Sequence, residues 1–379
     1  MRALTLVSRV LVGLLFIISG LIKANDPLGF SYKLDEYFEV FGMEFFKPAS
    51  LAFAMGICVV EIGLGVAVLM GVYVNFTAWL LLLMIIFFTI LTGYSAVTGK
   101  VTDCGCFGDA IKLTPTESFI KDLILLVFIG IVFIRRKYIE PLFSRVAGKT
   151  MTITAYVLAL LFTIYTYLYL PVKDFRPYAI GKNIPEQMKI PEDAPQPVYE
   201  TKLVYKNKAT NEVREMTMDE YTASSIWEDE NWEWQDTHNK LIKEGYTPKI
   251  ANFVVVDDAG TEIHEDLINN PNYNFIVVAY DLSKTCYDVQ PEINELALKA
   301  QQNGYDFVGL TTTSVQETEA FRHDVQAMYP YYFGDAIFLK TIIRSNPGLL
   351  LLKEGTVIMK WPWRGIPTYE EIEAKYLKN

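Results

Sequence analysis

Histidine is scarce in this chain: His238, His264 and His323 are the only three, and all lie in the C-terminal half. Cysteine is almost as scarce, at four, and the closest two, Cys104 and Cys106, have no histidine nearby. Two sulfurs alone cannot fill a tetrahedral zinc site, so no metal is expected at that pair. Positive charge is also lacking, since the formal net charge of -10 comes mainly from the second half and offers no overall field to a polyanion. There is no basic stripe, no zinc-finger spacing and no glycine-rich phosphate cradle, so a nucleic-acid partner is not expected.

What the chain has is apolar length. Its 51% hydrophobic content is high for an ordinary soluble enzyme, and the excess lies in residues 1–171, whereas 172–379 read as a soluble acidic region. Crossing about 30 Å of hydrocarbon takes roughly 20 apolar residues. Five segments approach that length, near 4–24, 51–72, 76–97, 117–134 and 152–170. The first also has the basic-then-apolar start of a signal peptide, but Ser19-Gly20-Leu21-Ile22-Lys23-Ala24 makes a poor cleavage site. Arg2 and Arg9 at the N-terminus, and Arg135, Arg136, Lys137, Arg145 and Lys149 between the last two segments, fall on the cytoplasmic side by the positive-inside rule. Counting five spans then puts loop 25–50, loop 98–116 and the C-terminal half outside, in the periplasm of a bacterium whose inner membrane holds the bundle. Disulfides persist in that compartment.

The stretch Val101-Thr102-Asp103-Cys104-Gly105-Cys106-Phe107-Gly108-Asp109 interrupts the apolar segments. Gly105 and Gly108 allow backbone angles that let one tight turn present both sulfurs. Thr114-Pro115-Thr116-Glu117 follows as a capping box with proline at the first helical position, so a helix should begin there. Asp103 and Asp109 oppose thiolate formation and the helix start favours it. The single intervening residue strains a Cys104–Cys106 disulfide and should make it easily reduced. A redox pair, a disulfide that fastens the loop and two free thiols all remain open. Cys58 and Glu61 share one face of the second span. Glu61 should face the bundle interior beside Lys23 or Lys121, either tying helices together or handling protons. Cys58 reads as a small core residue.

Ser19-Gly20-Leu21-Ile22-Lys23, Asp26-Pro27-Leu28-Gly29-Phe30, Glu61 and Cys104-Gly105-Cys106-Phe107-Gly108 together resemble the DoxX/MauE family of four-helix membrane proteins over residues 1–140. MauE-like members are associated with disulfide formation in periplasmic partners, and the bundle is similar to that of the vitamin K epoxide reductases. The resemblance implies that Cys104 and Cys106 exchange disulfides and that a quinone could accept electrons. This chain departs from those reductases in having Cys-x-Cys where they have Cys-x-x-Cys.

After a cytoplasmic loop and fifth span over 141–171, six prolines between Pro171 and Pro197 suggest a semi-rigid spacer. Residues 172–245 then read as a linker with a strand or hairpin over 198–217 and a helix over 225–243, its Trp227, Trp232 and Trp234 packed as core. From 246 onward, strands near 253–256, 275–279, 307–310, 348–352 and 357–361 alternate with helices over 289–304, 314–328 and from Thr368, an α/β order. Ser283-Lys284-Thr285-Cys286 after a strand, Pro291 five residues on, and Asn346-Pro347 before a strand resemble the thioredoxin fold of bacterial membrane-tethered proteins. Ser283 stands where that family has its nucleophilic cysteine, and a hydroxyl cannot replace a thiolate in exchange. A complete dithiol cycle within this domain is therefore excluded. Cys286 is left to exchange with the loop or a client, to cap a mixed disulfide, or to be a relic in a binding domain.

The expected fold is a membrane α-helical bundle, a four-helix DoxX/MauE-like core plus a fifth span, with a C-terminal thioredoxin-like α/β domain. The expected function is a membrane thiol-disulfide oxidoreductase acting on periplasmic proteins, with lipid around the bundle. Cys104, Cys106, Cys286 and Glu61 are its candidate reactive groups, and Ser283, Asn346 and Pro347 its candidate partner-binding residues. The alternative is a non-catalytic scaffold whose degenerate domain binds a periplasmic partner.

Overall fold

A computed structural model describes residues 2–101, 105–243, 245–251 and 253–378, so Cys104 lies outside the described residues. The N-terminal half is a bundle of α1 (Arg2–Asn25), α2 (Pro27–Val40), α3 (Ser50–Met70), α4 (Val74–Thr98), α5 (Pro115–Arg135) and α6 (Arg145–Leu168). Asp26 caps α2 by accepting from the Gly29 amide at 2.8 Å, so the expected loop 25–50 is largely helical. The capping box at Thr114 forms as the sequence indicates, and α5 starts at Pro115. Arg9 closes the other end of α3, its guanidinium donating to the carbonyls of Val68, Leu69 and Glu140. The Val68 and Leu69 carbonyls belong to the last turn of α3, where the cation also suits the negative end of the helix dipole.

Among the described residues, four stretches are long and apolar enough to cross a membrane: Ala3–Asn25, Glu44–Met70, Val74–Thr98 and Arg145–Leu168. The fourth expected segment, 117–134, forms α5 but is not among these stretches. Glu117, Lys121 and Asp122 occupy its first two turns, and only the twelve residues from Leu123 to Ile134 are free of charge.

Small residues set the helix spacing. A Cβ on Gly65 would lie 2.7 Å from the Gly13 carbonyl, and one on Gly63 would strike the Tyr156 ring. Gly65→Val should therefore force α1 and α3 apart and destabilise the bundle by about 1–3 kcal/mol. Detergent-driven unfolding followed by circular dichroism would show this, and an unchanged midpoint would refute the close approach.

The proline-rich segment is less of a spacer than expected. Gly181 and Ile184 donate to Val357 and Gly355 at 2.7 and 2.8 Å, fastening it to a strand hairpin of the α/β domain before α7 (Ile184–Met188) begins. Residues 185–253 form a separate compact unit with β1 (Val198–Asn207), β2 (Val213–Thr217), α8 (Met218–Ser224) and β3 (Trp232–Lys243). Its antiparallel sheet runs β2-β1-β3. The helix expected over 225–243 is thus mostly β3. Ser225, at φ +49, breaks the helix, and β1 offers a ten-residue edge with Tyr205 opposite Trp234. Cross-strand pairing outweighs the local pattern. Trp227 and Trp234 are exposed rather than core.

The α/β domain contains β4 (Val255–Val256), α9 (His264–Ile268), β5 (Tyr273–Val278), α10 (Gln290–Gln302), β6 (Asp306–Thr311), α11 (Val315–Asp324) and β7 (Tyr331–Gly334). It ends with α12 (Ala336–Ile342), β8 (Gly348–Lys353), β9 (Thr356–Pro362) and α13 (Tyr369–Ile372). The sheet order is β4-β7-β6-β5-β8-β9. β5 is parallel to β6 and antiparallel to β8, with Ile276 opposite Val308 and Leu350. The central strands are apolar on both faces, as a covered sheet requires. Ile293, Leu296, Ala297 and Ala300 form the buried stripe that seats α10 on Phe275 and Phe307.

Candidate functional site: the thiol loop and its junction with the α/β domain

Gly105 and Gly108 adopt φ +66 and +48, and the Gly108 amide donates to the Gly105 carbonyl at 3.1 Å, closing the tight turn their placement anticipates. The turn is tied to the bundle through Ser19, whose hydroxyl reaches the Cys106 carbonyl at 3.0 Å and Glu61 Oε2 at 3.3 Å. Lys23 Nζ holds Glu61 Oε1 at 2.5 Å, with both side chains buried. Of the two cations expected near Glu61, Lys23 is its ion-pair partner, and both carboxylate oxygens are engaged. Lys121 instead donates to Asp122 at 2.6 Å and lies 5.4 Å from the centre of the Phe107 ring. Asp122 also accepts from Thr92 at 3.0 Å. Cys58 is buried among Ala24, Phe30, Ala54 and Ile62, away from the loop's polar groups.

Ser19, Lys23, Glu61, Cys106, Lys121 and Asp122 line one small cavity of about 40 Å³. A water needs only about 10–15 Å³ and several polar partners, so the cavity suits one or two. Ligand pockets run to about 300–1,000 Å³, and a quinone ring does not fit here.

In the α/β domain the sequence-marked residues converge. The Cys286 amide donates to the Asn346 carbonyl at 3.4 Å, and the Asn346 side chain donates to the Asp281 carbonyl at 2.7 Å. The Asn346–Pro347 peptide is cis. Ser283 Oγ donates to Asp281 at 2.6 Å, and Lys284 pairs with the same carboxylate at 2.8 Å. These two partners hold the Asp281 carboxyl below its usual range although its partial burial pushes the other way. Cys286 is half-buried against the domain core.

Sequence reading missed what joins this corner to the bundle. Arg344, two residues before Asn346, pairs with Asp26 at 2.9 Å and reaches Asp109 of the thiol loop at 3.7 Å. Its guanidinium carbon lies 5.4 Å from the centre of the Tyr32 ring, and Tyr32 and Tyr280 share a hydroxyl contact at 3.4 Å. Burial raises the Asp109 carboxyl above its usual range, and Arg344 opposes that rise. A second missed cluster lies nearby. Lys360 Nζ is 3.1 Å from Asp174, and Arg176 binds the same carboxylate through two nitrogens at 2.8 and 2.9 Å. The only signal was a charge inside an apolar run, as at Ile342-Ile343-Arg344 and Ile358-Met359-Lys360-Trp361.

A helical membrane bundle holding a cysteine loop against an α/β domain of thioredoxin-like strand order defines a membrane-tethered thioredoxin-like protein. Residues 1–135 match the family model "Methylamine utilisation protein MauE", and this part of the chain is a MauE-like membrane domain. The chain is also 28% identical over 131 residues to "Protein TlpB" of Flavobacterium psychrophilum, a match covering 33% of this chain and 35% of that protein. It therefore spans about a third of the length of that curated relative. Among solved structures, a candidate protein disulfide isomerase from Bacteroides thetaiotaomicron aligns with TM-score 0.29 at 13% identity, over 33% of this chain and 84% of its own. StoA from Bacillus subtilis aligns with TM-score 0.26 at 16% identity, over 32% and 93%.

Proposed function

We propose that the chain is a membrane thiol-disulfide oxidoreductase component acting on periplasmic proteins, with Cys104 and Cys106 as the exchanging pair. A client thiolate attacks one loop sulfur and the Cys104–Cys106 bond breaks. The client's second thiolate then resolves the mixed disulfide, leaving a client disulfide and a reduced loop that has taken up two electrons and two protons. The observation that carries this reading is the anchoring of Cys106. Its carbonyl is held by Ser19, itself hydrogen-bonded to the Glu61–Lys23 pair, so the turn is fixed at the bundle's end. Glu61 acts here as a support, since proton transfer to it would break a buried ion pair. The basic residues Arg2, Arg9 and the cluster from Arg135 to Lys149 support a reading in which α5 also crosses, its charged first turns at the interface, with the loop and the α/β domain on the periplasmic side of a bacterial inner membrane.

Cys106→Ser should reduce oxidation of a reduced, unfolded client by membranes carrying the protein to the background rate. Maleimide trapping in cells should show the loop thiols changing state with client load. A second reading, a scaffold that docks a partner near Ser283, Asn346 and Pro347, is favoured by Ser283, whose hydroxyl is bound to Asp281 where exchange needs a thiol. Full function of a variant with serine at positions 104, 106 and 286 would establish the scaffold.

A further inference from the structure

The polar start of β5 marks a cleft on the face of the α/β sheet away from α10. Side chains alternate along a strand, so Asn274 and Ile276 point away from Phe275 and Val277, which belong to the core beneath α10. Asp306 lies beside Asn274 on β6 and shares its face. With α9 these residues line a cleft of about 320 Å³, at the lower end of the range for small-molecule sites. Asn274 is 1% exposed, yet its Oδ1 has no hydrogen-bond partner among the described residues, while its Nδ2 donates to the Leu267 carbonyl at 3.4 Å. A buried acceptor left without a donor costs stability, so the site lacks an N–H or O–H from outside the chain. Asp266 and Asp306 bring negative charge to the same cleft, and Asp306 spends one oxygen on Asn270 Nδ2 at 2.6 Å. Among the described residues no lysine, arginine or histidine lines it. Burial raises the Tyr332 hydroxyl above its usual range, and Asp257, Asp306, Asp258 and Asp266 add to the rise, as a negative field there requires.

We propose that this cleft binds a primary ammonium carried on a short alkyl chain. Asn274 Oδ1 accepts one N–H, the Asp266 and Asp306 carboxylates balance the charge, and Leu267, Val308 and Pro330 cover the alkyl part. The two carboxylates repel an anion, and a quaternary ammonium has no N–H to offer Asn274. A divalent metal needs a fuller set of ligands, and among the described residues no three His, Cys, Asp or Glu side chains converge to hold one. The cleft lies wholly within the α/β domain, so the proposal stands apart from the redox reading of the thiol loop.

The test is a ligand-observed NMR titration of the full-length protein in detergent with n-butylammonium chloride, with empty micelles as the blank. Saturable binding is expected, and n-butanol, of similar shape but uncharged, should give no signal beyond that of the micelles. Asp266→Asn changes an exposed side chain and should weaken binding about two- to fivefold with the fold intact, and Asp266→Asn/Asp306→Asn should weaken it about tenfold. Asn274→Leu removes the orphaned acceptor and should lower the affinity by about fivefold. Tighter binding of Nα-acetyl-lysine amide than of butylammonium would assign the ammonium to a lysine side chain of a protein, and the reverse order to a free amine. The absence of saturable binding, an undiminished affinity in the double aspartate variant, or displacement of butylammonium by an equal concentration of calcium chloride overturns the proposal.

Discussion

Glu61→Leu is expected to destabilise the bundle by about 3–5 kcal/mol, while Lys23→Met/Glu61→Leu together recover most of the loss. The pair bridges α1 and α3, and both side chains are almost wholly buried. Removing the carboxylate leaves the Lys23 ammonium buried beside the rings of Phe30 and Phe88, at 5.1 and 4.9 Å, without its ion-pair partner. An unpaired buried cation must be hydrated, deprotonated or expelled, and each route disturbs the packing. Removing both charges takes away the desolvation cost along with the attraction, which is why the double variant should recover. Thermal unfolding in a mild detergent gives the two differences. Equal losses in the single and double variants would show that the pair is not the source of the effect.

The second large effect is a dependence of stability on pH from Lys360. One carboxylate, Asp174, faces two buried cations, Arg176 and Lys360. Burial and the Arg176 charge pull the Lys360 ammonium down from 10.5 to about 7, despite the attraction of Asp174 and with Arg344 adding to the repulsion. Burial acts to raise the Asp174 carboxyl, but Arg176 and Lys360 hold it below its usual range. Arginine keeps its proton, so lysine yields. Between the folded value near 7 and the unfolded value of 10.5, the unfolded chain binds more protons, and stability should rise with pH. Below pH 7 the cost of the buried charge is fully present, on the order of 3–5 kcal/mol. Lys360→Met removes this titration and should flatten the profile from pH 7 to 10 while raising stability at pH 6. A variant that keeps the wild-type slope would rule out Lys360 as its origin.

The fold was legible where local chemistry decides it. Thr114 with Glu117 and Thr368 with Glu371 form capping boxes, and α10 and the β8–β9 hairpin lie close to their expected bounds. Strand β3 was not legible, because the tryptophans and polar residues of 225–243 fit a helical face until β1 supplies a pairing edge. The proline-rich segment misleads for the same reason, since its hydrogen bonds go to a hairpin more than 170 residues away, as from Asn183 to Thr356. In the site, the tight turn at Gly105 could be read from its glycines, and the meeting of Ser283, Cys286 and Asn346 followed from the thioredoxin resemblance. The Arg344–Asp26 pair, 318 residues apart in sequence, could not. Nothing in the chain marks which buried arginine will find which aspartate.

Arg9 bears on how the chain enters the bilayer. Its guanidinium is sealed against the carbonyls of Val68, Leu69 and Glu140, so once folded it shows little charge to anionic headgroups. Truncating Arg9 would therefore uncap the last turn of α3 as well as remove a charge.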